Sequence, residues 1–194
     1  MKTTLFVLFA MSLVTWACDN EAKDPVEKAD SINDAKIEKV DSQSTQPTVQ
    51  ADENTASFLV KAANGGMTEV QLGEIAQQKA TNQKVKDFGS MMVHDHSAAN
   101  EKVKALAAQR NVTLPAAVSE ESQKDIKDCS AKTGKDFDKA YMTAMVKKHE
   151  ATIDMFEKAA NDSKDSDVKT FINNTLPKVR EHLDSAKAIR KNLK

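Results

Sequence analysis

Three phrases in this chain share one spacing: Val93-His94-Asp95-His96, Val146-Lys147-Lys148-His149 and Val179-Arg180-Glu181-His182 each read Val-x-x-His. Imidazole is the commonest nitrogen donor to transition metals, so three of them on separate helices would form a candidate ligand set. Each leans toward an apolar stripe. His96 stands one turn from Met92 and Val93, His149 follows Met145 and Val146 and precedes Ile153, and His182 lies between Val179 and Ala186. His94 differs, because its neighbours at helical spacing are Ser90, Met91, Ser97 and Ala98. It belongs at the surface or behind the cluster.

A carboxylate joins the set. Glu69 shares a helical face with Ala62, Gly66, Gly73 and Ala76, small residues that let another helix approach, whereas Glu74 shares its face with Val70, Gln77 and Gln78 and is expected in solvent. An unpaired charge on a close-packed face is prohibitively costly, so Glu69 must have a partner. One Glu and three imidazoles, Glu69, His96, His149 and His182, would make a site for a single divalent ion such as Zn, Fe or Mn, with Asp95 and Asp154 behind the ligands. Met92 with His96, and Met145 with His149, also stand four apart, a pattern that would suit Cu(I). Met stripes are usually core, and copper is the lesser alternative. The competing reading has no ion: each His sits at its helix edge, bonded to a carboxylate such as Asp95, Asp154 or Glu69, and Glu69 locks helices by pairing with a Lys or His. An enzyme is the weakest reading. The chain has no phosphate loop, no Gly-x-Ser-x-Gly elbow and no His-Glu-x-x-His zinc signature, and Cys129 beside Asp128 lacks the cation that would activate a thiol.

Helices must position these groups. No stretch shows sustained alternation with β-branched enrichment, and Gly and Pro cluster at breaks, so the domain reads as all-α. The periodicity predicts a helix over Thr55–Thr81, with Gly65-Gly66 marking a bend or a close helix contact, and a second from an Asn82 cap to Arg110. A short helix over Ser119–Ala131 follows, then a break at Gly134 and a long helix over Lys135–Asn161 whose stripe includes Phe137, Tyr141, Met142, Met145 and Phe156. The last runs from Asp165 to Leu193, with Pro177 kinking it before His182. Four long helices and one short connector fit an up-and-down four-helix bundle.

The rest of the chain is an address. Lys2 precedes an apolar run from Leu5 to Val14 that is too short to span a membrane, and the segment ends at Ala17-Cys18, which reads as a secretory leader over 1–18. A Cys after a small residue there resembles a bacterial lipoprotein box, with Cys18 lipidated and the membrane as partner, although Thr15 stands where such boxes usually carry Leu. The alternative is an ordinary exported protein. Both readings put the product outside the cytoplasm. Residues 19–54 hold ten acids against four lysines and no aromatic residue, which predicts a disordered acidic tether. Such a coil spans on the order of 30 Å. Only the Ile32, Ile37 and Val40 pattern favours a short helix there. The domain, 55–194, has 19 acids against 23 Lys plus Arg. That mild positive charge and the export signal argue against nucleic acid, and no residue pattern defines a protein partner. With one cysteine in the domain, about 140 residues must be held by an apolar core rather than a disulfide.

A family resemblance covers nearly the whole domain. The stretches Gly66-Met67-Thr68-Glu69-Val70-Gln71-Leu72-Gly73, Met92-Val93-His94-Asp95-His96-Ser97-Ala98-Ala99-Asn100, Phe137-Asp138-Lys139-Ala140-Tyr141-Met142 and Leu176-Pro177-Lys178-Val179-Arg180-Glu181-His182-Leu183 resemble the domain-of-unknown-function family 4142. The resemblance implies an exported periplasmic or outer-membrane protein with a fold similar to ferritin-like bundles, and Glu69, Asp95, His96, His149 and His182 as a polar cluster. One departure limits the ferritin analogy. Di-iron bundles use Glu-x-x-His on two helices, and here the position three before each His is Val93, Val146 or Val179. A valine cannot bridge two irons, which leaves a single-ion site or none.

Overall fold

In a computed structural model of the chain, residues 24–41 and 51–193 are described; the leader and Cys18 lie outside them. Six helices are present: α1 (Pro25–Asp41), α2 (Glu53–Lys79), α3 (Gln83–Gln109), α4 (Glu120–Ser130), α5 (Gly134–Asp162) and α6 (Ser166–Asn192). They start where the chain supplies a side-chain oxygen for an orphan N–H. Asp52 accepts from Thr55 N, Asn82 from Lys84 N, Ser119 from Ser122 N, and Asp165 from Asp167 N and Val168 N. Thr133 offers no such cap, and α5 instead opens at Gly134 with φ 56°, a left-handed angle that glycine adopts without strain. α6 runs through Pro177. No strand occurs among the described residues, and the expected all-α class stands.

The helix count departs from expectation. Pro25–Asp41, assigned above to the disordered tether, is a helix docked on α2 and on the loop after α3. Its anchors are polar. Asn33 donates to Thr113 O (2.9 Å) and accepts from Thr113 N (2.7 Å), Lys36 Nζ donates to Asn111 O and Thr113 Oγ1 (2.8 Å each), and Asp24 Oδ2 accepts from Glu120 N (2.6 Å). Among the residues of α1 whose burial is described, Ala29 and Asn33 are the buried ones, and Ile32 is exposed. A composition argument counts apolar surface. It misses a helix whose attachment is hydrogen bonding to another segment's backbone.

α2 packs on α3 and α5, and α6 packs on α5 and α3, so the four long helices close a ring, with α4 laid across α2 and α5. α2 and α3 cross at Gly73 and Gly89. A Cβ added to Gly73 would lie 2.7 Å from Gly89 O, and one on Gly89 would lie 2.8 Å from Gly73 O. Gly66 faces the Asn100 side chain, whereas Gly65 meets nothing within 4 Å, so of the flagged pair it is Gly66 that marks a close contact. Two buried ties hold the ends. Arg110 at the end of α3 pairs with Asp165 and Asp167 at the start of α6, and Asp138 of α5 accepts from Thr81 N, Thr81 Oγ1 and Asn82 N in the α2–α3 turn.

The interior holds two apolar cores. One gathers Leu72, Phe88, Met92, Phe137, Met145 and Ala186, and the other gathers Phe58, Val103, Phe156, Val168, Phe171 and Ile172. On every long helix a buried polar residue falls between the two: Glu69 on α2, His96 on α3, His149 on α5 and His182 on α6. The bundle is thus divided by one polar layer across its middle.

Candidate metal centre

All three Val-x-x-His phrases deliver their terminal imidazole to that layer. His96, His149 and His182 are 7 %, 0 % and 2 % exposed, and their ring centroids stand 5.6, 5.4 and 5.5 Å apart in pairs. One ring nitrogen of each lies within 4.8 Å of one from each of the others. A tetrahedral ion at about 2.1 Å from its nitrogens sets them roughly 3.4 Å apart, so the rings must turn inward by at most about 1.4 Å to share one.

The other side of each ring is held. His149 Nδ1 donates to Met145 O (2.8 Å), one turn back on its own helix, and His182 Nε2 donates to Asp95 Oδ2 (2.9 Å). His96 Nδ1 lies 3.1 Å from Glu69 Oε2. A carbonyl or carboxylate oxygen can only accept, so each contact favours the proton on the nitrogen facing it and leaves the opposite nitrogen with a lone pair. Among the described residues, the buried side-chain atoms without a hydrogen-bond partner are His96 Nε2, His149 Nε2, His182 Nδ1, Glu69 Oε1 and the Tyr141 hydroxyl. Four of these five are acceptors in the one polar layer. Glu69 Oε1 is also 3.4 Å from His149 Nδ1, but that proton is spent on Met145 O.

Glu69, expected among the ligands, sits beside the imidazoles with Oε2 toward His96 Nδ1 and with Oε1 buried and without a hydrogen-bond partner near His149. Asp95 receives hydrogen bonds from buried His182 and from His94, whose side chain is 84 % exposed. Asp154 does not. It is exposed and no hydrogen bond or ion pair joins it to the cluster, because its position on α5 points away from the stripe that carries Val146, His149 and Phe156. Tyr141 was counted only as core. Its hydroxyl is buried without a hydrogen-bond partner, and Phe88 of α3 packs edge-on against both Tyr141 and His149, a link between helices that periodicity does not carry.

Burial keeps His149 and His182 neutral. It pushes His149 below the usual range, against the pull of Glu69, and it pushes His182 down to about 4, against the hydrogen bond to Asp95 and with the help of His96 and His149. Asp95 ends below the carboxylate range: its partial burial works the other way, and the bonds from His94 and His182 outweigh it. Burial raises Tyr141, with Glu69 adding to the effect, and lifts the Cys129 thiol to about 11, which leaves that cysteine protonated and unsuited to attack. A cavity of about 30 Å³ abuts the layer, lined by Gly66, Glu69, His96, Asn100, Phe156 and Val179 among others.

No curated protein and no solved structure matches the chain. Residues 40–189 match the family described as Domain of unknown function (DUF4142), a span that takes in nearly all of α2 to α6 and all four residues of the polar layer, and the chain belongs to that family.

Proposed function

We propose that this is an exported, lipid-anchored, ferritin-like bundle that holds one transition-metal ion on His96, His149 and His182, in a metal-handling or stress role. The observation that carries the reading is the pairing on each ring: one nitrogen engaged by an oxygen, the other buried with no partner. Buried polar groups are seldom left so, and three buried lone pairs on clustered imidazoles are what a cation satisfies. The donor set is three imidazoles, which suits Zn and Fe and disfavours Mg and Ca, and Mn would need the Glu69 carboxylate as an added ligand. Three His and an open fourth position match a zinc centre. Glu69 and Asp95 supply two negative charges beside the rings, the number a divalent ion needs. Copper has less support, since Met92 and Met145 belong to the apolar core. Only one carboxylate, Glu69, lies in the buried layer, and Val93, Val146 and Val179 occupy the positions where bridging ligands of a di-iron centre would stand. Export and anchoring rest on the apolar run from Leu5 to Val14 and on Cys18, and no helix among the described residues is long and apolar enough to cross a membrane.

Protein purified without a polyhistidine tag tests the proposal by elemental analysis and thermal melts. Metal at a hundredfold its Kd stabilises by about 2.7 kcal/mol, or roughly 8 °C for a domain of this size. His149→Ala and His182→Ala should abolish the shift. Absence of stoichiometric metal together with no shift from Zn, Mn, Fe or Cu would defeat it. The second reading, a metal-free envelope interaction module, draws on the fact that Glu69 to His96 and Asp95 to His182 also join α2 to α3 and α3 to α6. Under it the same variants would change melting temperature, and no ion would.

A further inference from the structure

A groove of about 230 Å³ opens between α2, α4 and α5, lined by Asn64, Glu121, Ser122, Asp125 and Lys148, with Val26 of α1 alongside. Gly65, Glu69, Thr152 and Met155 line both this groove and the 30 Å³ cavity that touches His96. The two spaces are therefore adjacent, and Glu69 stands between them. Its side chain is 3 % exposed and its Oε1 has no hydrogen-bond partner. An ion pair spans the groove wall, Lys148 Nζ to Asp125 Oδ2 at 2.7 Å, joining α5 to α4.

We propose that a divalent cation reaches the histidines through this groove, that Glu69 Oε1 is the first buried atom to take it, and that the Lys148–Asp125 pair sets the rate of passage. The proposal rests on the metal reading above. A buried carboxylate oxygen with a free lone pair attracts a cation that has begun to shed water, and beyond it the cavity leads to His96. Two lysines, Lys61 and Lys148, line the groove and oppose this traffic, and Lys148 is the one tied to Asp125. Held by Asp125 it is neutralised; released, its ammonium is free to turn within the same groove toward Glu69 and cover it. The alternative way in, beside the quarter-exposed Asp95, meets the nitrogen of His182 that already carries a proton.

The two partners of the gate should then act with opposite sign. Zn²⁺ uptake by the full-length protein is followed by stopped flow against a chromophoric chelator, and equilibrium affinity by competition with the same chelator. Lys148→Gln should speed uptake about fivefold and Asp125→Asn should slow it about fivefold, with affinity unchanged within about twofold and both rate effects shrinking in about 0.5 M salt. Circular dichroism confirms that each variant folds. Wild-type protein that binds zinc while both variants load at its rate, or a rate altered only by His94→Ala, would overturn the route and leave the metal site standing. Wild-type protein that binds no zinc at equilibrium would overturn the metal reading itself, and the route with it.

Discussion

Adding one methyl group to α2 should weaken the protein at Gly73 and strengthen it at Gly65, eight residues away on the same helix. Alanine in place of a helical glycine gains about 1 kcal/mol from backbone entropy where nothing obstructs it. At Gly65 nothing lies within 4 Å of the new Cβ, so that gain should be realised in full. At Gly73 the Cβ would lie 2.7 Å from Gly89 O, 3.0 Å from Val93 Cγ2 and 3.3 Å from Met92 Cβ. The first of these is backbone of the facing helix and cannot rotate away, so α2 and α3 must part by several tenths of an ångström. Overpacking of this kind costs about 3 kcal/mol, and after the helix gain the net loss is about 2 kcal/mol. Glu69 lies one turn from Gly73, so the same displacement lengthens its 3.1 Å contact with His96. Urea unfolding of the two variants against wild type reads the difference as midpoints shifted in opposite directions at constant slope. A Gly73→Ala protein as stable as Gly65→Ala would show that the helices have slack at their crossing and would refute the close-contact account.

Three further outcomes are expected. Because folded His182 stays neutral down to about 4 while an unfolded histidine titrates near 6.5, the unfolded chain binds more protons between those values. Stability should therefore fall as pH drops from about 6.5 toward about 4, in advance of the carboxylate Asp165, whose lowered pKa acts only below its unfolded value of 3.8. Chemical unfolding at intervals of pH checks this, and a flat profile from pH ~7 to ~5 would contradict it. Asp138→Ala removes the acceptor of three hydrogen bonds and strands two backbone N–H groups at the α2–α3 turn, which should cost about 3 kcal/mol in the same unfolding assay. Asn33→Ala cuts both bonds between α1 and Thr113, and amide hydrogen exchange should then report faster opening of α1 with the rest of the domain unchanged.

Much of this was legible in the chain. Asn82 was readable as a cap and α3 begins one residue after it, and the helices expected from Ser119 and Asp165 begin one residue later with those two as their caps; Gly134 announced its break and takes the left-handed angle a break needs. The convergence of His96, His149 and His182 was also readable, because a residue one turn from a buried valine points the same way it does. What escaped depends on partners far along the chain. The Asn33 clasp on Thr113, the Arg110 pairing with Asp165 and the Asp138 brace on Thr81 join residues 80, 55 and 57 positions apart. Periodicity carries no trace of them. The role of Glu69 was half visible: its face betrayed burial, but which atom of which ring it meets depends on the helix spacing fixed at Gly73 and Gly89. Asp154 was misjudged because proximity in sequence to His149 does not put a carboxylate on the same side of the helix.

The folding of α1 alters how near the domain would ride to a lipid surface. A coil of 36 residues would have let it drift freely above the headgroups. With Pro25–Asp41 fastened to the body and Asp24 clasping the amide of Glu120, five residues separate Cys18 from the first anchored one, a leash of about 18 Å at full stretch. An acylated Cys18 would thus hold the α1–α4 end, and the groove that Val26 borders, facing the bilayer at close range, so that whatever the protein collects or delivers would pass within a headgroup's reach of the membrane.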